Sequence, residues 1–189
     1  MRKSKIRHMS YCALFTTLII IGAFIQIPVP FMDYFTLQFL FVILSGMILG
    51  PKLGATSVGT YVMLGLLGVP VFAAGGGIQY IFRPSFGYLI GFIVASFLVG
   101  YVVDKIKAKN FKQYLISALS GFFATYFIGI LYKFIILNLY LKTPTSISII
   151  VLSCLPLDMP GDIVLCIVGA ILASKINPIL RSKYIEYSR

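Results

Sequence analysis

The sequence predicts an all-α integral membrane protein of six transmembrane helices. Three observations predict it. Of 189 residues, 59% are hydrophobic and 11% are charged, where soluble domains carry about 25% charged residues. Mean hydropathy is +0.99. The net charge of +11 gathers at the ends of apolar runs, which is how the loops of a membrane protein set its orientation. At roughly 20 apolar residues per crossing, the length holds about five to seven helices in one domain.

The first span covers residues 9–27 and stops at Pro28 and Pro30, because proline cannot continue a helix. A basic start followed by an apolar run is also the pattern of an export signal. No small-x-small cleavage pattern follows, so an uncleaved helix is expected. The second span, 34–49, ends at Gly50-Pro51, and the third, 53–69, ends at Gly68 and Pro70. An outer loop, 70–85, precedes the fourth span at 86–103. The fifth span, 114–141, is long enough to tilt or protrude. Residues 146–157 are apolar but interrupted by Pro156, with Pro160 soon after. They read as a short outer helix or as the first half of a broken span. The sixth span is expected at 160–174.

The basic residues then orient the chain. Arg2, Lys3, Lys5 and Arg7 precede the first span, and Lys52 opens the third. Lys105, Lys107, Lys109 and Lys112 fill one loop, while Lys175, Arg181, Lys183 and Arg189 follow the last span. Placing the N-terminus inside leaves Arg83 and Lys142 outside and Lys133 within the fifth span. Both termini are therefore expected in the cytoplasm, with the chain in the plasma membrane. Asp33, Asp158, Asp162 and the 70–85 loop face outward. Charge placed this way reads as topology and excludes a nucleic-acid partner; the lipid bilayer is the expected one. Cys12, Cys154 and Cys166 lack CxxC spacing and the single histidine is His8, so no metal site is expected.

Three polar groupings stand out. In the outer loop, Gly75, Gly76 and Gly77 are followed by Gln79, Tyr80 and Arg83. The glycines suit a surface turn, close approach of backbone to a ligand, or a loop that opens and closes. Arg83 offers a planar fork that fits a carboxylate, or it reaches for lipid phosphates at the interface. Phe72, Tyr80, Phe82, Phe86 and Tyr88 surround the loop as candidate pocket walls. In the second grouping, Asp158 precedes Pro160-Gly161-Asp162. Asp162 suits a helix N-cap or an acceptor for ligand N–H groups. Acidic residues at membrane depth are functional candidates. A paired carboxylate would also suit hydrolysis, but no nucleophile, base or metal set accompanies it, and no catalytic residue is expected. In the third grouping, Ala13 and Thr17 stand four apart in the first helix, a spacing that allows close packing within the chain or against another membrane subunit.

Several ordered motifs resemble the BioY family, the biotin-specific S components of energy-coupling factor (ECF) transporters. They are Thr36-Leu37-Gln38, Gly50-Pro51-Lys52-Leu53-Gly54-Ala55, and Tyr61 with the run from Leu64 to Phe72. The glycine run, the stretch from Pro84 to Phe92 and Pro160-Gly161-Asp162 complete the set. The resemblance spans about residues 10 to 175. It implies an S-component fold and a subunit that captures biotin from outside, beneath the loop joining the third and fourth helices. Partners would be a transmembrane T component and two ATPase subunits. This chain has no GxxxxGK[ST] phosphate loop, so ATP hydrolysis belongs to those partners. Biotin is the transported substrate, and no cofactor is implied.

Asp162 is expected to accept from the ureido N–H groups and Arg83 to pair with the ligand carboxylate. Gln79 and Tyr80 would add polar contacts, and Phe72 and Tyr88 apolar walls; Gly75, Gly76, Gly77, Asp158 and Gln38 complete the candidate site. Ala13 and Thr17 would face the T component, with threonine where the family usually has alanine. The family pattern commonly carries a lysine one turn after the Pro-Gly-Asp aspartate. Here Ile163, Val164 and Leu165 follow. Either Arg83 meets the carboxylate alone, or affinity and substrate range differ. Alternative readings are an S component for another vitamin and a solitary vitamin permease.

Overall fold

A computed structural model describes residues 2–27, 35–154 and 158–186. Among them are seven α-helices and one short antiparallel strand pair. Asp33 lies outside the described residues.

Helix α1, Arg2–Phe24, ends short of the expected boundary. Gln26–Ile27 forms strand β1 and pairs with strand β2, Phe35–Thr36, in the register Gln26 to Thr36. Ile27 precedes Pro28, and the residue before proline is pushed toward extended backbone. The same pairing delays the second helix, α2, to Gln38–Leu49. Helix α3, Pro51–Leu66, starts on its proline, whose missing N–H costs nothing in a first turn.

A 3-10 turn, Ile78–Phe82, lies in the outer loop before α4, Phe86–Ile106. Helix α5, Phe111–Ile135, begins with an Asn110–Gln113 capping box and runs on as a π-helical segment, Ile136–Tyr140. The interrupted stretch contains a short helix, α6, Ile147–Cys154. Asn138 of the π-helical segment exchanges hydrogen bonds of 3.0 Å with the backbone of Thr145, two residues before α6. Helix α7, Asp158–Glu186, starts before Pro160 and continues well beyond Ser174.

Among the described residues, four segments are long and apolar enough to cross a membrane: Ile6–Phe24, Phe86–Ile106, Phe111–Tyr140 and Asp158–Pro178. The two remaining expected spans are shorter. At 1.5 Å per residue, α2 reaches about 18 Å and α3 about 24 Å.

Helix α4 is central and packs on α2, α3 and α5. Ser45 of α2 and Ser96 of α4 share a buried hydrogen bond of 2.8 Å, so neither hydroxyl is stranded in an apolar core. Helix α7 closes the bundle against α5 and α2. At the end where α7 continues past the core, Asn177 donates to the Met47 carbonyl at 3.0 Å and to Tyr114 Oη at 2.8 Å. The opposite end, where α4 and α7 begin and α5 finishes, holds the cavity described next.

Candidate functional site

A cavity of about 740 Å³ opens at that end of the bundle, within the roughly 300–1,000 Å³ usual for small-molecule sites. Strand β2 gives Phe35 and Thr36, and α2 gives Phe39. The outer loop adds Arg83, Pro84 and Ser85, and α4 adds Tyr88 and Phe92. Helix α5 contributes Thr125, Tyr126 and Lys133, α6 contributes Ser153, and α7 contributes Asp158 and Asp162. Apolar walls thus enclose two cations and two carboxylates.

The two aspartates share a helix. Pro160 sits in the first turn of α7, where proline breaks no hydrogen bond, so Asp158 and Asp162 project from one face at i, i+4. Asp162 is therefore inside the helix and is not its N-cap. Gly161 beside it leaves room for the Phe35 ring, which a Cβ there would strike. Tyr126 Oη donates to Asp162 Oδ2 at 2.8 Å, which fixes the carboxylate and leaves its other oxygen for a further donor.

Across the cavity, Tyr88 is held edge-on to Tyr126, with ring centroids 5.8 Å apart, and its hydroxyl lies 3.1 Å from Cys154 Sγ. Gly129 of α5 gives Tyr88 its place, since a Cβ there would meet the ring. Arg83 is exposed on the rim, its guanidinium 5.1 Å from the Tyr80 ring centroid. Such a cation–π contact steadies a guanidinium while leaving its N–H fork free. Lys133 Nζ donates to Ser153 Oγ at 3.3 Å.

Of the sequence-predicted residues, Arg83, Asp162, Asp158 and Tyr88 line one cavity. The others are elsewhere. Phe72 is buried on Gly65, and a Cβ at Gly65 would overlap its ring. Tyr61 and Tyr80 pack against Phe72 at 5.4 and 4.5 Å. Gly75 and Gly77 take left-handed φ values of 106° and 107°, open to glycine at little cost. The Gly77 amide donates to the Gly65 carbonyl at 2.7 Å, and Phe72 and Gly75 exchange backbone hydrogen bonds. Gln26 Nε2 adds a bond of 2.7 Å to the Ala73 carbonyl. The glycine run thus folds the loop onto the end of α3. Gln79 is exposed and caps the Gly76 carbonyl at 3.1 Å. Gln38 is buried beside Tyr61. Ala13 and Thr17 are exposed on α1, whereas Gly22 and Ala23 are buried within the bundle.

Sequence reasoning missed Lys133, Thr125, Tyr126 and Ser153 as wall residues. A usable signal existed for Lys133, because a lysine inside a span is itself a functional flag. Leu165, where the resemblance would put a lysine, is buried in the core. Among the described residues, no group of His, Cys, Asp or Glu could hold a metal ion.

Residues 1–182 match the model of the BioY family. The chain is 38% identical to a probable biotin transporter BioY of Lysinibacillus sphaericus, over 90% of this chain and 86% of the other. It is 42% identical to the biotin transporter BioY of Thermotoga maritima, over 71% and 76% of the two chains. Its fold is similar to the crystal structure of the S-component for biotin from an ECF-type ABC transporter. There the TM-score is 0.80, sequence identity is 29%, and 93% of each chain is covered. The first two relatives are described as biotin transporters and the third as a component of one.

Proposed function

The chain belongs to the BioY family, and from that footing we propose that it is the substrate-binding membrane subunit for biotin uptake in an ECF-type transporter. It captures biotin in the cavity between α2, α4, α5 and α7. A different vitamin is not favoured, because the relatives are described as biotin transporters. A solitary permease is not favoured, because the solved relative is one component of a larger transporter.

The observation that carries the reading is the joining of Asp162 and Arg83 in one aromatic-walled cavity. Biotin has a ureido group with two N–H donors, an apolar ring and chain, and a carboxylate. Asp162, held by Tyr126, accepts from the ureido N–H groups. Arg83 pairs with the carboxylate at the rim. Tyr88, Phe39 and Phe92 face the apolar parts.

Six helices, α1 to α5 and α7, cross the bilayer, with α2 and α3 as short members. Both termini lie in the cytoplasm, which puts the basic loops inside and the cavity mouth outside. A T component docks on the exposed α1 face at Ala13 and Thr17, and two ATPase subunits supply ATP hydrolysis.

Calorimetry of biotin with the purified protein tests the reading, with thiamin and riboflavin as competitors. Tight one-to-one binding that neither competitor displaces is expected. Folded protein that ignores biotin sinks it. Arg83→Ala should weaken binding by about 10- to 150-fold, the loss of one charge-assisted hydrogen bond; unchanged affinity removes Arg83 from the site.

A further inference from the structure

We propose that α5 anchors both ends of the ligand, with Thr125 Oγ1 bonding the ureido head and the Lys133 ammonium bonding the carboxylate. The inference deepens the biotin-binding reading and rests on it.

Thr125 is unlike the other helical threonines of this chain. Thr16, Thr17, Thr56 and Thr60 each donate to the carbonyl four residues back, at 2.8 to 2.9 Å, the usual refuge of a hydroxyl in a helix. Thr125 is only 1% exposed, and its Oγ1 has no hydrogen-bond partner among the described residues. It lines the cavity. A buried hydroxyl without a partner is costly, and a polar ligand atom at the wall would satisfy it.

Lys133 lines the same cavity eight residues later. Eight residues are about 12 Å of helix rise and a little over two turns, so both residues look into the cavity from separate levels. Neighbours identify those levels. Tyr126, next to Thr125, bonds Asp162. Tyr132, next to Lys133, bonds the Ile81 carbonyl in the turn that leads to Arg83. The Thr125 level is therefore that of Asp162, and the Lys133 level is that of Arg83. Ser153 is neutral and orients the ammonium without neutralising it. One helix thus presents a hydroxyl beside the aspartate and a second cation near the arginine, matching a ligand with a ureido group at one end and a carboxylate at the other.

The test crosses two variants with two ligands on the purified full chain, by calorimetry. Biotinamide keeps the ureido head and lacks the negative charge. Lys133→Gln should weaken biotin at least about tenfold and leave biotinamide within about twofold, while Lys133→Arg retains most of the biotin affinity. Thr125→Val should weaken both ligands alike, by about three- to tenfold. Lys133→Gln that lowers both ligands equally, or neither, overturns the carboxylate assignment. Thr125→Val without effect on either ligand overturns the head assignment. A variant that loses its thermal transition is replaced by Lys133→Met or Thr125→Ser. Thr125→Ser keeps the hydroxyl and should bind near wild type; weakened binding by it overturns the head assignment. Folded wild type that binds neither ligand overturns the biotin reading itself, and this one with it.

Discussion

The Tyr132 hydroxyl donates to the Ile81 carbonyl and so fastens the turn that leads to Arg83 onto the helix that carries Lys133. Phe82 stacks on Tyr140 at 4.8 Å, adding a second contact between that turn and the end of α5. The two cations of the cavity are therefore held at related heights by one helix.

Tyr132→Phe removes the first of these fastenings. It should cost about 1 kcal/mol of stability and weaken biotin severalfold by loosening Arg83. Thermal unfolding and calorimetry on the same preparation check it. A stability loss with undiminished affinity would mean that the turn keeps its position without Tyr132.

Asp162 lies inside α7, so changing it removes no helix cap. Asp162→Asn should leave the melting temperature nearly unchanged, because asparagine still accepts from Tyr126. Biotin binding should fall by about 10- to 150-fold with the loss of the charged acceptor. Tyr126→Phe should weaken binding less, by about three- to tenfold, through the freed carboxylate. Full affinity in Asp162→Asn would take Asp162 off the ligand.

Gly65→Ala places a methyl group in the Phe72 ring. Overpacking of this kind costs about 1–3 kcal/mol. Phe72→Leu should be costly by itself, yet the double variant should lose less than the sum, since the smaller side chain vacates the contested space. Additive losses in thermal unfolding would count against direct contact as the reason for glycine.

Ala13→Trp enlarges a residue on the outward face of α1. Biotin binding by the isolated subunit should be unchanged. Co-purification with a T component and its ATPases should fail if that face is the dock. Normal assembly would move the dock elsewhere.

The sequence located the helical core well, because hydropathy over a span averages many residues. It was less sure of ends. The chain before Pro28 reads as helix by hydropathy but pairs as strand in Gln26–Ile27, a choice made by a local steric rule. Four candidates, Arg83, Asp162, Asp158 and Tyr88, share one cavity. Phe72, Tyr80 and the glycines sit beside Arg83 in the chain but pack on α3 instead, because sequence proximity says nothing about side-chain direction. Thr125 was hidden for the opposite reason, and Lys133, though flagged by its charge, carried no sign of its direction. They belong to a long apolar run, where a hydroxyl and one ammonium scarcely change the average, and only the packing of α5 on α4 and α7 reveals which face they share.

With Phe72 seated on Gly65 and the Gly77 amide bonded to the Gly65 carbonyl, the start of the outer loop is ordered by contacts within the protein. Its conformational entropy is surrendered at folding, once, and not again at each capture event. Receptors fixed beforehand lose less freedom on association. A receptor whose loop is already ordered at this end spends less of its binding free energy on ordering itself.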